Sequence, residues 1–581
     1  MTLATAGHVD HGKSALVEAL TGVHPDRLAE EQRRGMTLDL GFGHWRGADG
    51  GERSIVDVPG HERFIHTMLA GAGGVDAVLL VVAADAGVQP QTIEHFEICR
   101  LLGMTRGVVA VTKCDLAGPE QRAAVREQVA KRVRGSFLEN AAVIEVSTRS
   151  GEGMAELRRT LEALPAAARD ADAPFRLPVD RGFSMPGFGA VVTGTLLSGR
   201  IRAGAEAVLE PGGLRARIRG VQVHGVSVEA AQAGERTAVN LAGIEVAALA
   251  RGQTLCEAGE FAASKQWDAV LELLPGIRLH PRARMQVHLH AGSAPATLIW
   301  IETPRFAQLR LAAPLCAVAG DRFILRQLSP PMTLGGGRVL EPDALRHRQT
   351  EREAAAKHLA ALAAADAAGG VALRLERAGA AGMPLAALSA ALGRSRAQLQ
   401  PVLEAAGAHL AEEEVISAPA LAGIEQALLA GAVPAGTPQR WLKLAAQRVR
   451  AAGRAPAPPE PDAAAIALRA AIGARLRELG LAAPPLAEFL TAFPQAAARG
   501  QVAALARERR LIECQPGWYL HAEAIAALRS ELARRKPASQ TFSVGEFKLW
   551  TGLTRKSAIP LLEFLDRQRV TRRIGDLREI I

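Results

Sequence analysis

The chain has 581 residues, enough for roughly three to five domains at about 100–200 residues each, and its 48% of hydrophobic residues can fill several cores. Lys and Arg exceed Asp and Glu by 69 − 60 = 9, which admits a polyanionic partner without requiring one. Cys99, Cys114, Cys256, Cys316 and Cys514 never form a Cys-x-x-Cys pair, which argues against a disulfide framework or a zinc site and suits a reducing cytoplasm.

In chain order, short apolar runs at Leu3–Ala6, Ile55–Val58, Ala77–Ala84, Val108–Thr112 and Val143–Ser147 alternate with helical patterns. This predicts a parallel α/β domain over residues 1–170, followed by a linker at Pro165–Pro174. The glycine-rich motif at Gly7 leaves no room for a signal peptide, and Ala77–Ala84, bounded by Asp76 and Asp85, is too short to cross a membrane. A soluble cytoplasmic protein is expected. From Phe175 to about Leu345 short alternating strands broken by Gly and Pro predict two β-barrels, at 175–260 and 261–346. Beyond His347 the chain turns helical and repeats a short helix followed by a longer one: Pro384–Leu388 then Arg396–Ala405, Pro485–Phe489 then Arg499–Arg509, Val544–Lys548 then Arg555–Arg567. A strand and turn, such as Leu511–Cys514 and Gln515-Pro-Gly517, complete the winged-helix pattern at 347–422, 476–538 and 539–581. Ala452–Asp462 reads as a further linker.

Gly7-His8-Val9-Asp10-His11-Gly12-Lys13-Ser14 satisfies G-x-x-x-x-G-K-[ST] between a strand and a helix. Its glycines let backbone N–H groups turn toward phosphates, Lys13 can reach the β- and γ-phosphates, and the Ser14 hydroxyl can ligate Mg²⁺. Asp57 ends an apolar strand and can reach the same ion, Gly60 follows as a γ-phosphate sensor, and Thr37, after Arg34-Gly-Met36, is spaced to complete the metal shell. Thr112-Lys113-Cys114-Asp115 is the base motif, whose Asp115 carboxylate pairs with guanine and not adenine, so the nucleotide is GTP or GDP. Ser147-Thr148 is placed to close over the base through backbone N–H groups. Most GTPases carry Asn at the position of Thr112.

Gly7–Ser14 and Asp57-Val-Pro-Gly-His-Glu62 resemble the translational GTPases of the EF-Tu type. The resemblance implies that His61 orients the water attacking the γ-phosphate, and it extends through Phe183–Gly194 and Gly320–Val339, so that it covers about residues 1–345. The segment Thr37-Leu-Asp-Leu-Gly-Phe42, Thr112 in the base motif and the helical tail ending in Phe547–Asp566 and Val570–Asp576 are similar to the selenocysteine-specific elongation factors. That family implies four winged-helix domains, which adds one at 423–475, and an arm that grips an mRNA hairpin near a recoded UGA codon. It also implies selenocysteinyl-tRNA and the ribosome as partners, no membrane, a monomer, and a selenocysteine pocket at Asp180, Arg181 and Arg236. A selenol is largely ionised at neutral pH whereas a serine hydroxyl is neutral, so a buried cation would favour it. Arg555 and Lys556 start the presumed recognition helix, Arg572 and Arg573 sit near its wing, and all four are candidates for RNA contact. Another tRNA-carrying GTPase with an unrelated tail, or a GTP-switched RNA-binding protein, remain the alternatives.

Overall fold

Runs of Val, Ile, Leu and Ala buried on both faces build the sheet of the first domain, as they do in parallel sheets covered by crossover helices. The computed structural model describes residues 1–25, 37, 39–61, 65–72, 74–185, 187, 189–433, 436–452, 463–536 and 540–581. Its first domain holds β1 (Thr2–Gly7), α1 (Lys13–Thr21), β2 (Gly41–Arg46), β3 (Glu52–Asp57), α2 (Ile65–Ala72), β4 (Ala77–Ala83), α3 (Pro90–Leu101), β5 (Gly107–Thr112), α4 (Pro119–Val133), β6 (Val143–Glu145) and α5 (Met154–Glu162). The strand order is β2-β3-β1-β4-β5-β6, parallel except between β2 and β3. The loops leaving β1, β3, β5 and β6 therefore converge at one edge, where such sheets bind ligands. The stretch after this domain is held close: Asp76 accepts hydrogen bonds from the Ala167 amide at 3.2 Å and from Arg169 at 2.8 Å.

The second domain is an eight-stranded antiparallel sheet between Arg176 and Glu257, wrapped around Leu177, Val192, Leu209, Ile218, Val239 and Leu255. The third is a closed six-stranded barrel from Ser264 to Glu341. One buried ion pair bolts the two together. Arg176 donates to both oxygens of Asp321, at 2.6 and 2.8 Å, and Asp321 also accepts from the Val318 amide. Burial alone would raise the Asp321 pKa, but Arg176 and the neighbouring His290 hold it far below the usual carboxylate range.

Two units divide the chain: Met1–Ile424 with Gly436–Leu444, and Glu425–Ala435 with Ala445–Ile581. The first unit includes a winged-helix module with helices Ala367–Ala378, Leu385–Leu392 and Arg396–Ala405 and a three-stranded sheet from Met383–Pro384, Ala408–Ala411 and Glu414–Ser417. It packs on the third domain, where Leu359 and Leu362 cover Phe306 and Leu340, and Arg374 donates to the Leu340 carbonyl at 2.6 Å. Trp441 is wholly buried and its indole N–H bonds to the Ala381 carbonyl at 3.1 Å.

The second unit holds two further modules. One has helices Ala463–Leu479, Leu486–Phe489, Gln495–Arg507 and Ala522–Arg535 around the hairpin Leu511–Gln515 and Trp518–His521. The other has helices Val544–Thr551 and Arg555–Arg567 and a sheet of Thr541–Ser543, Thr571–Ile574 and Leu577–Ile580. A single apolar core runs through both, from Ile472 and Leu505 to Phe547 and Leu565. The stretch 423–475 contains no strand among the described residues, and the boundary expected at 475/476 falls inside the helix Ala463–Leu479. Residues 453–462 of the expected linker, Arg34, Gly35, Met36, Leu38, Glu62, Pro186 and Phe188 lie outside the described residues. No helix among the described residues is long and apolar enough to cross a membrane.

Breaking a buried ion pair by removing one partner costs about 3–5 kcal/mol, so Asp321→Asn should lower the barrel transition in scanning calorimetry at pH 7. Because the folded pKa of Asp321 is depressed, its contribution is present above the unfolded carboxylate pKa of about 4 and fades as pH falls below it. The gap between wild type and Asp321→Asn should narrow below that pH, and a gap independent of pH would contradict the assignment.

Candidate functional site

The loop from Gly7 to Ser14 leaves the end of β1 and enters α1. At Gly7 a Cβ would stand 2.3 Å from the Val81 carbonyl oxygen, so only glycine lets the loop lie against β4. Side chains of α3 and β5 brace it. His95 Nδ1 accepts from the Gly7 amide at 3.1 Å, Gln91 Oε1 accepts from the Val9 amide at 3.1 Å, and the Thr112 hydroxyl donates to the His11 carbonyl at 2.6 Å. The threonine that replaces the usual asparagine thus ties the base motif to the phosphate loop. Burial lowers the His11 pKa to about 4, and burial with the nearby Lys13 charge lowers that of His95 to about 3, so both rings stay neutral at pH 7. Sequence reasoning missed Gln91 and His95, which no phosphate-loop pattern includes.

Lys13 is buried, and its ammonium donates to the carbonyls of Gly7 at 3.2 Å and His8 at 2.7 Å. Gly60 lies flat over it: a Cβ there would stand 2.5 Å from Lys13 Nζ and 2.8 Å from the Val9 nitrogen. His61 follows, half-buried, and burial, then the Lys13 charge, lowers the pKa of the nearby His8. Asp10 takes a left-handed φ of 60° and Gly12 one of 82° as the loop turns into α1. Beneath the loop, the Ser14 hydroxyl donates to Asp57 Oδ2 at 2.7 Å and lies 2.9 Å from the Thr37 hydroxyl, while Thr5 donates to Asp57 Oδ1 at 2.8 Å. Ser14, Thr37 and Asp57 are therefore brought together.

At the base motif, Lys113 adopts a left-handed φ of 56° and its ammonium lies 3.6 Å from Asp85. The exposed Asp115 carboxylate accepts from the Ser147 hydroxyl at 2.7 Å, the leading cause of its lowered pKa. Here one expectation changes. The Ser147 amide is already used, donating to the Glu152 carbonyl at 3.0 Å, so Ser147 enters through its side chain, which orients Asp115; Thr148 is exposed.

Asp180, Arg181 and Arg236 meet where the first and second domains join. Arg236 grips both oxygens of Asp180, which also accepts from the Thr193 hydroxyl at 2.7 Å. The Arg236 guanidinium lies 3.5 Å from the centre of the Phe42 ring, with that of Arg181 5.1 Å away. Arg181 reaches across to Asp39 and to the Leu40 carbonyl, each at 2.7 Å. Arg181, Arg236 and Phe42 border a cavity of about 350 Å³ also lined by Phe183, Thr193, His44 and His224. The two histidine rings stack at 4.8 Å across the domain boundary, and burial followed by the His44 charge lowers the His224 pKa. In the last module Arg555 and Lys556 are exposed at a helix start; Arg572 is 2.6 Å from Glu579 on the next strand, and Arg573 bonds the Gly575 carbonyl.

Comparison with known proteins agrees with this layout. The Elongation factor Tu GTP binding domain model matches residues 1–166, Elongation factor Tu domain 2 matches 189–256, the beta-barrel domain of the selenocysteine-specific elongation factor matches 269–346, and the winged helix of elongation factor SelB matches 536–580. The selenocysteine-specific elongation factor of Desulfomicrobium baculatum is 36% identical over 630 aligned positions, covering 100% of this chain and 99% of that relative. Its counterpart in Escherichia coli K12 is 39% identical over 341 positions, 58% of this chain and 55% of the relative. A crystal structure of a bacterial selenocysteine-specific elongation factor, EF-Sec, superposes with a TM-score of 0.67 at 25% identity, covering 100% of this chain and 99% of that one. A relative similar from end to end, with both EF-Tu-type and SelB-type domain models in order along the chain, shows that this protein belongs to the selenocysteine-specific translation elongation factors and is a GTPase.

Proposed function

We propose that this GTPase carries selenocysteinyl-tRNA to the ribosome in the cytoplasm at recoded UGA codons, guided by an mRNA hairpin bound by its C-terminal modules. The observation that carries this reading is the cavity with Arg181 and Arg236 on its wall. Its wall carries two guanidiniums, Arg181 and Arg236, and no carboxylate; their partners Asp39 and Asp180 lie outside the lining. A selenolate would bring an anion to those guanidiniums and a seryl hydroxyl would not. A second cavity of about 500 Å³ shares Gln222 and Ala238 with the first, leaving room beside the aminoacyl group for the nucleoside that bears it.

At the nucleotide site, Asp115 reads the guanine and the phosphate loop with Lys13 receives the phosphates. Ser14, Thr37 and Asp57 form an all-oxygen set within hydrogen-bond reach, which suits Mg²⁺. Bound there, the ion would offset the charge of the β- and γ-phosphates. His61, next to the close approach at Gly60, orients the attacking water, and Lys13 takes up developing negative charge on the phosphoryl oxygens. Arg555, Lys556 and Arg573 offer cations to RNA phosphates, with Arg572 available on release from Glu579.

Three outcomes are expected. His61→Ala should bind GTP nearly as wild type in equilibrium titration yet lose ribosome-stimulated hydrolysis by orders of magnitude, since only positioning of the water is lost; a matching loss of GTP affinity would make the residue structural. A chain ended after Ala452, which keeps the Trp441 contact, should retain GTP and charged tRNA binding and lose the mRNA hairpin in a gel-shift assay; retained hairpin affinity would remove the assigned role of the last modules. Arg236→Ala should weaken selenocysteinyl-tRNA binding by roughly ten- to a hundredfold, because a charge-assisted contact is worth about 1.5–3 kcal/mol. Seryl-tRNA binding should barely change, and equal losses for both would recast Arg236 as a general tRNA contact.

A further inference from the structure

One hairpin of the second domain reaches across to the first. Its strands, Leu214–Val223 and Val226–Val228, pair Val223 with Val226, which leaves His224 and Gly225 as a two-residue turn. Both take a left-handed φ, 52° and 78°, as the tightest hairpin turns require. Glycine adopts that backbone freely; histidine does so less readily, and asparagine is the usual occupant of its place. The His224 ring stacks on His44 with centroids 4.8 Å apart and planes 24° apart, and its Nε2 lies 3.4 Å from the Ser54 hydroxyl. His44 on β2 and Ser54 on β3 are directly opposed in the ladder, so the tip seats on one spot of the first domain's sheet.

The same face of β2 serves the cavity. Phe42 and His44 are two residues apart on that strand and so point the same way. Phe42 meets Arg236, and His44 meets His224. On the side of the second domain, Val223 pairs with Thr237, the residue after Arg236, so hairpin and arginine belong to one sheet. His224 and Gly225 line the cavity together with Arg236. Lifting the tip off β2 therefore opens that wall and draws Arg236 away from Phe42.

We propose that His224 is a positioning residue that, when neutral, stacks on His44 and closes the cavity wall beside Arg236, and when protonated frees the hairpin tip and weakens the cavity's hold on selenocysteinyl-tRNA. The proposal rests on the reading of the cavity given above. The charged and titratable groups facing His224 are His44 on β2, Glu52 on β3, Glu235 in the turn before Arg236, and the Met1 amino group. Burial is the largest influence and opposes a charge on the ring; His44 and the amino group act the same way, and the two glutamates act against them. The balance holds the His224 pKa below the ordinary 6.5. A contact that depresses the pKa of a base is fully present above the free value of that base and is lost as pH falls below it. With the tip undocked the ring titrates near about 6.5, so closure is favoured above that pH and fades beneath it.

The test uses the full-length protein with a non-hydrolysable GTP analogue: wild type, His224→Asn, His44→Phe and Arg236→Ala. Each is titrated with fluorescent selenocysteinyl-tRNA at about pH 7.5 and about pH 5.5, one unit either side of the free imidazole value. His224→Asn keeps the left-handed turn and removes the ring. Wild type should bind more tightly than His224→Asn at the higher pH. That advantage should shrink by up to about tenfold at the lower pH, the factor one imidazole contributes across one unit below its free pKa. The selenol titrates alike in both proteins, so its own protonation cancels from the ratio. His44→Phe, which keeps a flat ring and removes its charge, should lose less affinity than wild type between the two pH values. A ratio of wild type to His224→Asn that is the same at both pH values overturns the proposal, as does equal binding by the two at the higher pH. If Arg236→Ala weakens binding while that ratio stays constant, the cavity reading stands and the role of His224 alone fails. If Arg236→Ala changes nothing, the cavity reading fails and this proposal falls with it.

Discussion

A carboxylate with no exposure to water, Asp57 at the end of β3, sets the terms for the nucleotide site. Burying a charge is costly unless hydroxyls, amides or cations surround it. Thr5 and Ser14 meet that demand by donating to its two oxygens, and Thr37 stands beside Ser14. Satisfying one buried group thereby brings together the end of β1, the start of α1 and the segment leading into β2. The Val58 amide also donates to Thr5, which fixes the path of the chain toward Gly60. Gly60 can then press against Lys13 and Val9 only because it has no side chain.

What reaches beyond that site does so through a rigid frame. Arg176 and Asp321 clamp the two β-domains, and Glu94 on α3 accepts from Thr333 and Arg326 of the third domain, at 2.6 and 3.1 Å. Because α3 also supplies Gln91 and His95 to the phosphate loop, one helix carries both the loop's bracing and a domain contact. Charged pairs cut off from water are strong only when their geometry is fixed and their remaining hydrogen bonds are met. Each of these pairs has such a second partner: Asp321 has the Val318 amide, and Glu94 accepts from two residues.

The phosphate loop, Asp57, Gly60 and the base motif were legible in the sequence because each is a contiguous run whose spacing is the chemistry. Elements with strong periodicity were legible too: Arg396–Ala405 and Arg555–Arg567 form helices with the bounds their patterns suggest. Asp39, Phe42, Arg251 and His224 were not legible as a set, since they come from separate loops and strands of two domains and meet only through tertiary packing. Ser147 shows a subtler limit. Its position was readable, but that its hydroxyl would bond Asp115 while its amide was withheld from the base depended on a turn in which the Glu152 carbonyl captures that amide. The module at 423–475 was expected from the family resemblance and the available length, and neither says whether a strand forms there; among the described residues none does.

In the function proposed above, the cavity would discriminate through arginines that are already paired. A lone arginine in an apolar pocket would bind any acceptor and would be costly to bury. Here Asp180 and Thr193 hold the Arg236 guanidinium in one plane, and the Phe42 ring supports its face. A guanidinium offers five N–H donors, and the bidentate grip on Asp180 uses only some of them, so orientation is fixed without exhausting the donors. An anion entering beside it meets a group already aligned, and little conformational entropy remains to be lost on binding. A neutral hydroxyl of similar size meets the same donors but brings no charge to the two arginines on the cavity wall. In the function proposed above, selectivity would come from charge as well as shape, since the two candidate side chains differ by a single atom.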